Sequence, residues 1–302
     1  IAEQSMNVFI LLGLGAAAGL LAGMFGVGGG FLATPLLIFV GIPPAVAVAS
    51  QANQVIANSV SSLQVQWRRG NVDLRMGLVL LLGGMIGSSA GVSLFTYLKR
   101  IGQIDFVIAV LYVVMLSSIG LLMLVESLRT YFRRRRNPEA PRGKLHTHYL
   151  VHRLPLKLRF YKSKLYISAL LPLGLGFVIG ILSAILGVGG GFVLVPAMIY
   201  LLGMPTSVVI GTSNFQILFV AANVTFLQAA TNGTVDVVLA LLLILGGVVG
   251  APVGSRLAAK LPGVALRGLM AVLILAVAAE LLTELLRTPS SIYSLSTREV
   301  LP

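Results

Sequence analysis

Apolar residues come in long unbroken runs, at positions 8–22, 76–98, 104–125, 165–186, 235–253 and 266–282. About 20 predominantly apolar residues make one transmembrane helix, so each run reads as a span. A membrane β-barrel would instead alternate in segments of roughly ten residues. The pattern predicts an all-α, polytopic transmembrane helical bundle. Two stretches break it in the same way. GMFGVGGGFLATPLLIFVGIPPAVAVASQANQ, residues 23–54, starts in glycine and ends in amides, and GVGGGFVLVPAMIYLLGMPTSVVIGTSNFQ, residues 187–216, does so again.

The two stretches belong to a duplication. Gly26–Phe31 matches Gly187–Phe192, and Pro35 matches Pro196 at the same offset. After one inserted residue Gly41, Pro43 and Gln54 align with Gly203, Pro205 and Gln216. After one more, Asp73, Gly83, Gly84, Gly87 and Gly91 align with Asp236, Gly246, Gly247, Gly250 and Gly254. The boundaries follow: an N-terminal transmembrane repeat at 1–126, a polar linker at 127–164 and a C-terminal transmembrane repeat at 165–302.

Within each repeat the spacing predicts a broken, re-entrant helix hairpin. Phe31–Val40 makes about 15 Å of helix, half a bilayer, before Gly41-Ile42-Pro43 breaks it. Pro44 suits the first position of the next helix. A returning helix of similar length brings Ser50–Gln54 back to the depth of the glycines. Phe192–Leu202 and the Gly203-Met204-Pro205 break repeat the arithmetic and return Thr212–Asn214. A through-helix kinked at Gly28 is the alternative, and it leaves the polar clusters unexplained.

Composition agrees with the membrane class: 57% of the 302 residues are hydrophobic and 10% charged, against about 25% charged in a soluble domain. The net charge of +13 suggests nucleic acid until it is located. Twelve of the 22 Lys and Arg lie between Arg129 and Lys164, which reads as a cytoplasmic loop following the positive-inside rule and leaves no nucleic-acid partner expected. A lipid-headgroup role for the same stretch is compatible. No basic region precedes residues 8–22, so a cleavable signal peptide is not expected.

Charge also bears on orientation. Arg68, Arg69 and Arg75 flank the third segment of the first repeat, whereas the matching loop at 229–234 carries no cation. One segment later Arg256, Lys260 and Arg267 cluster in the second repeat. The repeats are then inverted, as in many secondary transporters, with Lys99 and Arg100 falling on the outer side against the rule.

The first N–H groups of a helix lack intrahelical acceptors, and with the helix dipole behind them they attract anions. Glycine lets a ligand approach that backbone closely. Gly28, Gly29 and Gly30, with Gly189, Gly190 and Gly191, are therefore substrate-binding candidates. Ser50, Gln51, Asn53 and Gln54, with Thr212, Ser213, Asn214 and Gln216, add neutral hydrogen-bonding groups around a small anion. The same residue types also serve helix packing and interhelical hydrogen bonds. Asp73 and Asp236 precede long apolar runs, where Asp suits a helix N-terminus. Together with Glu280, deep in an apolar run, they are the candidates for ion coupling, to protons in the first instance.

With no cysteine, thiolate chemistry is excluded. The three histidines, His146, His148 and His152, all lie in the linker, and no phosphate loop or dinucleotide fingerprint occurs. No enzyme activity, cofactor or metal is expected.

GVGGGFLATPLL at residues 26–37, its near copy in the second half, and the Ser-Gln-Ala-Asn-Gln and Thr-Ser-Asn-Phe-Gln clusters at matching distance resemble the sulfite exporter TauE/SafE family. The resemblance covers both repeats. It implies a bacterial-type inner-membrane transporter of sulfur-containing anions, such as sulfite or organosulfonates like sulfoacetate. Related thiosulfate-uptake proteins use cysteines near the pore, which this chain lacks. A secondary transporter working by alternating access about a midplane site is the expectation. A passive anion channel with the same central filter is the second reading.

Overall fold

The computed structural model describes residues 7–25, 30–136, 157–163, 165–260 and 263–286. The first repeat contributes α1 (Val8–Phe25), α2 (Gly30–Phe39), α3 (Pro44–Arg68), α4 (Leu74–Arg100) and α5 (Ile104–Arg136). A hairpin of β1 (Lys157–Phe160) and β2 (Leu165–Ser168) follows. The second contributes α6 (Leu170–Leu186), α7 (Gly191–Tyr200), α8 (Thr206–Asn232), α9 (Val237–Lys260) and α10 (Gly263–Leu286). Helix for helix the second set repeats the first. By length and composition four stretches among the described residues qualify as bilayer spans: 74–100, 104–129, 208–232 and 237–254.

Helix limits follow local chemistry. Pro44 opens α3 at its first turn, where a missing N–H costs nothing. Gly41 and Gly203 turn the chain with φ of 94° and 72°, a region that only glycine enters freely. α2 and α7 are ten residues each, about 15 Å. The returning helices are longer than the spacing predicts. α3 runs through Ser50–Gln54 to Arg68, and α8 through Thr212–Gln216 to Asn232. Buried amides lower the hydropathy of such a segment but leave its backbone bonds intact. The apolar run 165–186 likewise divides, its first four residues forming β2 and α6 starting only at Leu170.

The repeats interlock. α1 of the first packs on α9 of the second, and α6 of the second on α4 of the first, while α3 meets α8 and α5 meets α10. The crossings are glycine seams. Gly15, Gly19 and Gly23 lie on Leu243, Gly247 and Ala251, while Gly83, Gly87 and Gly91 lie on Leu173, Phe177 and Ile181. A Cβ at Gly87 would sit 2.0 Å from the Phe177 carbonyl oxygen. Contacts advance together in both pairs, so α1 and α9 are parallel, as are α4 and α6. The opposite faces of α4 and α9 expose Leu78, Leu82, Ile86, Leu245, Val248 and Val249. Small residues inside and large apolar ones outside is the pattern of helices whose solvent is lipid, where close backbone packing drives association.

The bundle's two ends differ. At one, Lys99 Nζ donates to the Asn232 carbonyl at 2.9 Å, so the α4–α5 and α8–α9 connections lie together. Lys99 neutralises the carbonyl end of α8 there, a sufficient physical reason for a cation at that position. At the other, the β-hairpin rests on the start of α4: Phe160 and Ile167 join a core with Met76 and Leu80. His146, His148, His152 and the rest of linker residues 137–156 lie outside the described residues.

Candidate functional site

The two short helices meet at their N-terminal turns. Phe31, one residue into α2, stacks on its repeat-equivalent Phe192 in α7, with ring centroids 4.7 Å apart and planes 5° from parallel. Both are buried. Two equivalent residues touching each other place the starts of both short helices at the boundary between the repeats. Gly28 and Gly29 lie outside the described residues, but Gly30 is in place, where a Cβ would meet Val55 at 2.7 Å.

The second glycine loop is wedged between the long helices α3 and α8. Gly187, Gly189 and Gly190 have φ of 68°, 67° and 75°, a left-handed backbone that strains any side chain. A Cβ on Gly189 would lie 2.4 Å from Val55 and 2.8 Å from Ile217, which are equivalent positions. One on Gly187 would lie 2.4 Å from the Val48 carbonyl oxygen. Gly191 begins α7 directly behind this turn. Tyr112, buried in α5, donates to the Leu186 carbonyl just before the loop. The sequence reading passed over it; its only signal was a phenol hydroxyl inside an apolar run.

The polar clusters divide into fasteners and unpaired groups. Ser50 Oγ accepts from the Asp236 N–H at 3.0 Å, and equivalent Thr212 Oγ1 accepts from the Asp73 N–H at 3.0 Å. Each hydroxyl thus holds the start of a helix in the other repeat. The two aspartates are N-caps: Asp73 Oδ1 accepts from Met76 N–H at 3.2 Å and Asp236 Oδ1 from Leu239 N–H at 2.9 Å. Asp73 Oδ2 takes both Ser163 N–H and Oγ–H, which ties on the β-hairpin. Asn53, Ser213 and Asn214 donate to carbonyls one turn back on their own helices. Glu280 lies on the exposed side of α10.

The glutamines separate most sharply. Gln54 Nε2 donates to Gly15 O at 3.3 Å and Leu243 O at 3.0 Å, pinning the α1–α9 seam. Its Oε1 accepts from Gln51 Nε2 at 2.9 Å. Gln216 occupies the equivalent place against the α4–α6 seam, lying on Gly84. It is fully buried, yet neither its Nε2 nor its Oε1 has a partner. Gln51 Oε1 is also buried and unpartnered. An unmade hydrogen bond on a buried amide costs about 1–3 kcal/mol. The site's side chains are neutral, and among the described residues no His, Asp or Glu cluster could hold a metal ion.

Comparison with known proteins agrees with this architecture. A relative named "Probable membrane transporter protein" from Xylella fastidiosa (strain 9a5c) is 30% identical over 84% of this chain and 86% of its own length. Bacillus subtilis (strain 168) has one named "Probable membrane transporter protein YjnA", 29% identical over 89% of this chain and 97% of its own. A second from that strain, "Probable membrane transporter protein YunE", is 25% identical over 92% and 98%. No solved structure is significantly similar to the chain. The profile of the sulfite exporter TauE/SafE family matches residues 11–281, across both repeats and both glycine loops. The chain belongs to the sulfite exporter TauE/SafE family.

Proposed function

We propose that this chain is a secondary membrane transporter of small sulfur-containing anions, sulfite or an organosulfonate such as sulfoacetate, working by alternating access between two inverted repeats. The observation that carries the reading is the stack of Phe31 on Phe192, with a half-helix starting beside each ring. Two helix N-termini at one point focus partial positive charge without any cation. The unpartnered Gln216 Nε2 supplies a neutral donor, while Gln51 gives its Nε2 to Gln54 and keeps only a free acceptor. A site made of dipoles and amides binds an anion and releases it, where a salt bridge would retain it. The sulfur chemistry comes from the family, and the transport reading is supported by relatives named as probable membrane transporters.

Helix directions support the inversion. α3 is parallel to α9, since Ser50 meets Asp236 and Gln54 meets Leu243 and Gly247. α4 is parallel to α8, since Gly77 meets Phe215, Gly84 meets Gln216 and Ser88 meets Asn223. A five-residue turn at 69–73 reverses the chain between α3 and α4. So α1, α3 and α9 run one way and α4, α6 and α8 the other. First, third and fourth helices of one repeat then oppose their counterparts, and α2 and α7 enter as re-entrant halves from opposite sides. The positive-inside rule assigns the Arg68–Arg75 end, with the hairpin, to the cytoplasm.

Two coupling candidates, Asp73 and Asp236, already serve as caps, which leaves a proton-coupling role to be read from transport itself. The test is tracer flux into proteoliposomes with sulfite, sulfoacetate, taurine, sulfate and thiosulfate, with and without a pH gradient. Saturable flux of sulfite or a sulfonate that responds to the gradient is expected. Conductance without saturation would make the protein a channel, and no flux of any sulfur anion would overturn the reading.

A further inference from the structure

The β-hairpin encloses a second candidate site, at the end of the bundle and away from the stacked half-helix starts. A cavity of about 510 Å³ lies against it, lined by Arg159, Phe160, Tyr161, Leu165 and Tyr166. The Arg159 guanidinium lies 5.5 Å from the centroid of the Tyr161 ring. Arg75, reaching across from the start of α4, lies 5.0 Å from the same centroid. Two guanidinium groups share one ring, and among the described residues neither is paired with a carboxylate. The nearest acid in sequence, Asp73, is spent on Met76 N–H and on Ser163. Lys162 adds a third cation, its Nζ donating to the Gly70 carbonyl at 3.2 Å. Arg68 and Arg69, exposed at the end of α3, complete the field.

Uncompensated cations held this closely repel one another, and a shared anion between them removes the repulsion. The walls indicate which kind. Arg159 puts one cation in the wall, while Phe160 and Leu165 are apolar and Tyr161 and Tyr166 are amphipathic aromatics. Tyr161 is 64% exposed, Tyr166 57% and nearby Trp67 52%, a concentration of amphipathic aromatics that marks the headgroup level of a bilayer. A free oxyanion has no use for the apolar wall. A phosphodiester joined to a glycerol and acyl chains uses both. The volume falls in the range of pockets that enclose small organic groups.

We propose that this cavity binds the phosphodiester headgroup of an anionic phospholipid, Arg159 gripping the phosphate from the wall, Arg75 at the Tyr161 ring adding a second positive charge, and the tyrosines lying beside the glycerol. The lipid joins the hairpin to the α3–α4 turn and so braces one end of the bundle. The equivalent loop of the second repeat, residues 229–234, is Ala-Ala-Thr-Asn-Gly-Thr and carries no cation, so the site faces one leaflet only.

The experiment uses the full chain in detergent, titrated with dioleoyl phosphatidylglycerol or dioleoyl phosphatidylcholine and read by native mass spectrometry. Saturable binding of phosphatidylglycerol in preference to phosphatidylcholine is expected. An arginine near an anionic lipid surface contributes enough that R75Q/R159Q should bind about 30-fold more weakly. R256Q, removing an exposed cation of α9, should bind like the parent. If the double variant does not fold, R159Q alone, at an exposed strand position, should still lose about five-fold. Equal binding of the two lipids, or unchanged binding in the arginine variants, would overturn the proposal. So would millimolar inorganic phosphate displacing the lipid as well as a second phosphatidylglycerol does, because the site would then be one for free phosphate.

Discussion

Gln54 and Gln216 are the same residue at equivalent positions of a duplicated chain, yet replacing each by leucine should move stability in opposite directions. Leucine nearly matches glutamine in volume, so packing changes little. In Gln54→Leu two interhelical bonds to Gly15 and Leu243 vanish, each about 0.6 kcal/mol and up to about 1.7 within a membrane protein. Gln51 Nε2 loses its acceptor as well, and a buried orphan donor costs about 1–3 kcal/mol. The total is a loss of about 2–6 kcal/mol, against a folding free energy of about 5–15. In Gln216→Leu no bond is lost, because neither amide atom has a partner. Removing that desolvated amide should stabilise the protein by about 1–3 kcal/mol. Thermal unfolding in detergent reads both effects: Tm falls for Gln54→Leu and rises for Gln216→Leu. Substrate flux separates them again. If Gln216 donates to a bound anion, its loss removes a charge-assisted bond and weakens apparent affinity about 10- to 150-fold. A Tm for Gln216→Leu as low as that of Gln54→Leu would refute the reasoning, since it would mean the Gln216 amide is already engaged.

Glycine substitutions test the seams. Gly87→Ala puts a methyl 2.0 Å from a backbone oxygen of α6, so it should force the helices apart and cut folded yield severely in a size-exclusion assay. Gly174→Ala, where nothing lies within 4 Å, should instead gain up to about 1 kcal/mol from helix propensity. Gly189→Ala meets both a φ of 67° and Val55, and should lose transport even where some protein still folds. Asp73→Ala removes the cap of α4 and the anchor of the hairpin together, costing about 0.5–2 kcal/mol from the cap alone. Ser163→Ala releases only the hydroxyl anchor. Limited proteolysis between residues 157 and 168 should therefore rise in both variants, while Tm should fall mainly in the first.

Much of the fold was legible because lipid leaves a chain few choices. Every backbone polar group in hydrocarbon must be satisfied within its own segment, so a long apolar run is a helix before any packing is considered. The two short helices were legible for a related reason, since glycine and proline at fixed distances mark where each helix breaks. The seam glycines announced close packing by their four-residue spacing. Less visible was the length of α3 and α8. Their polar residues looked like the end of a segment but are interior positions of a continuous helix, with Ser50 and Thr212 turned onto the partner repeat.

The sequence by itself determined the membrane class, the duplication and the positions of the helix breaks, all of them consequences of composition and spacing along one dimension. Only the tertiary structure decided which seams close on which. Both repeats carry similar glycine stripes, so nothing in the letters says that α1 seeks α9 in the other half. It also decided the fate of the glutamines. Gln54 and Gln216 share a residue type and a repeat position, but Gln54 bonds two carbonyls across its seam and neither amide atom of Gln216 finds a partner. The hairpin too is a tertiary product. A two-stranded ribbon is marginal alone, and β1–β2 stands because Phe160 and Ile167 find the core of α4 and Ser163 finds Asp73. Hydrogen bonds and close packing depend on distances in space, and these are set only once the two repeats have folded against each other.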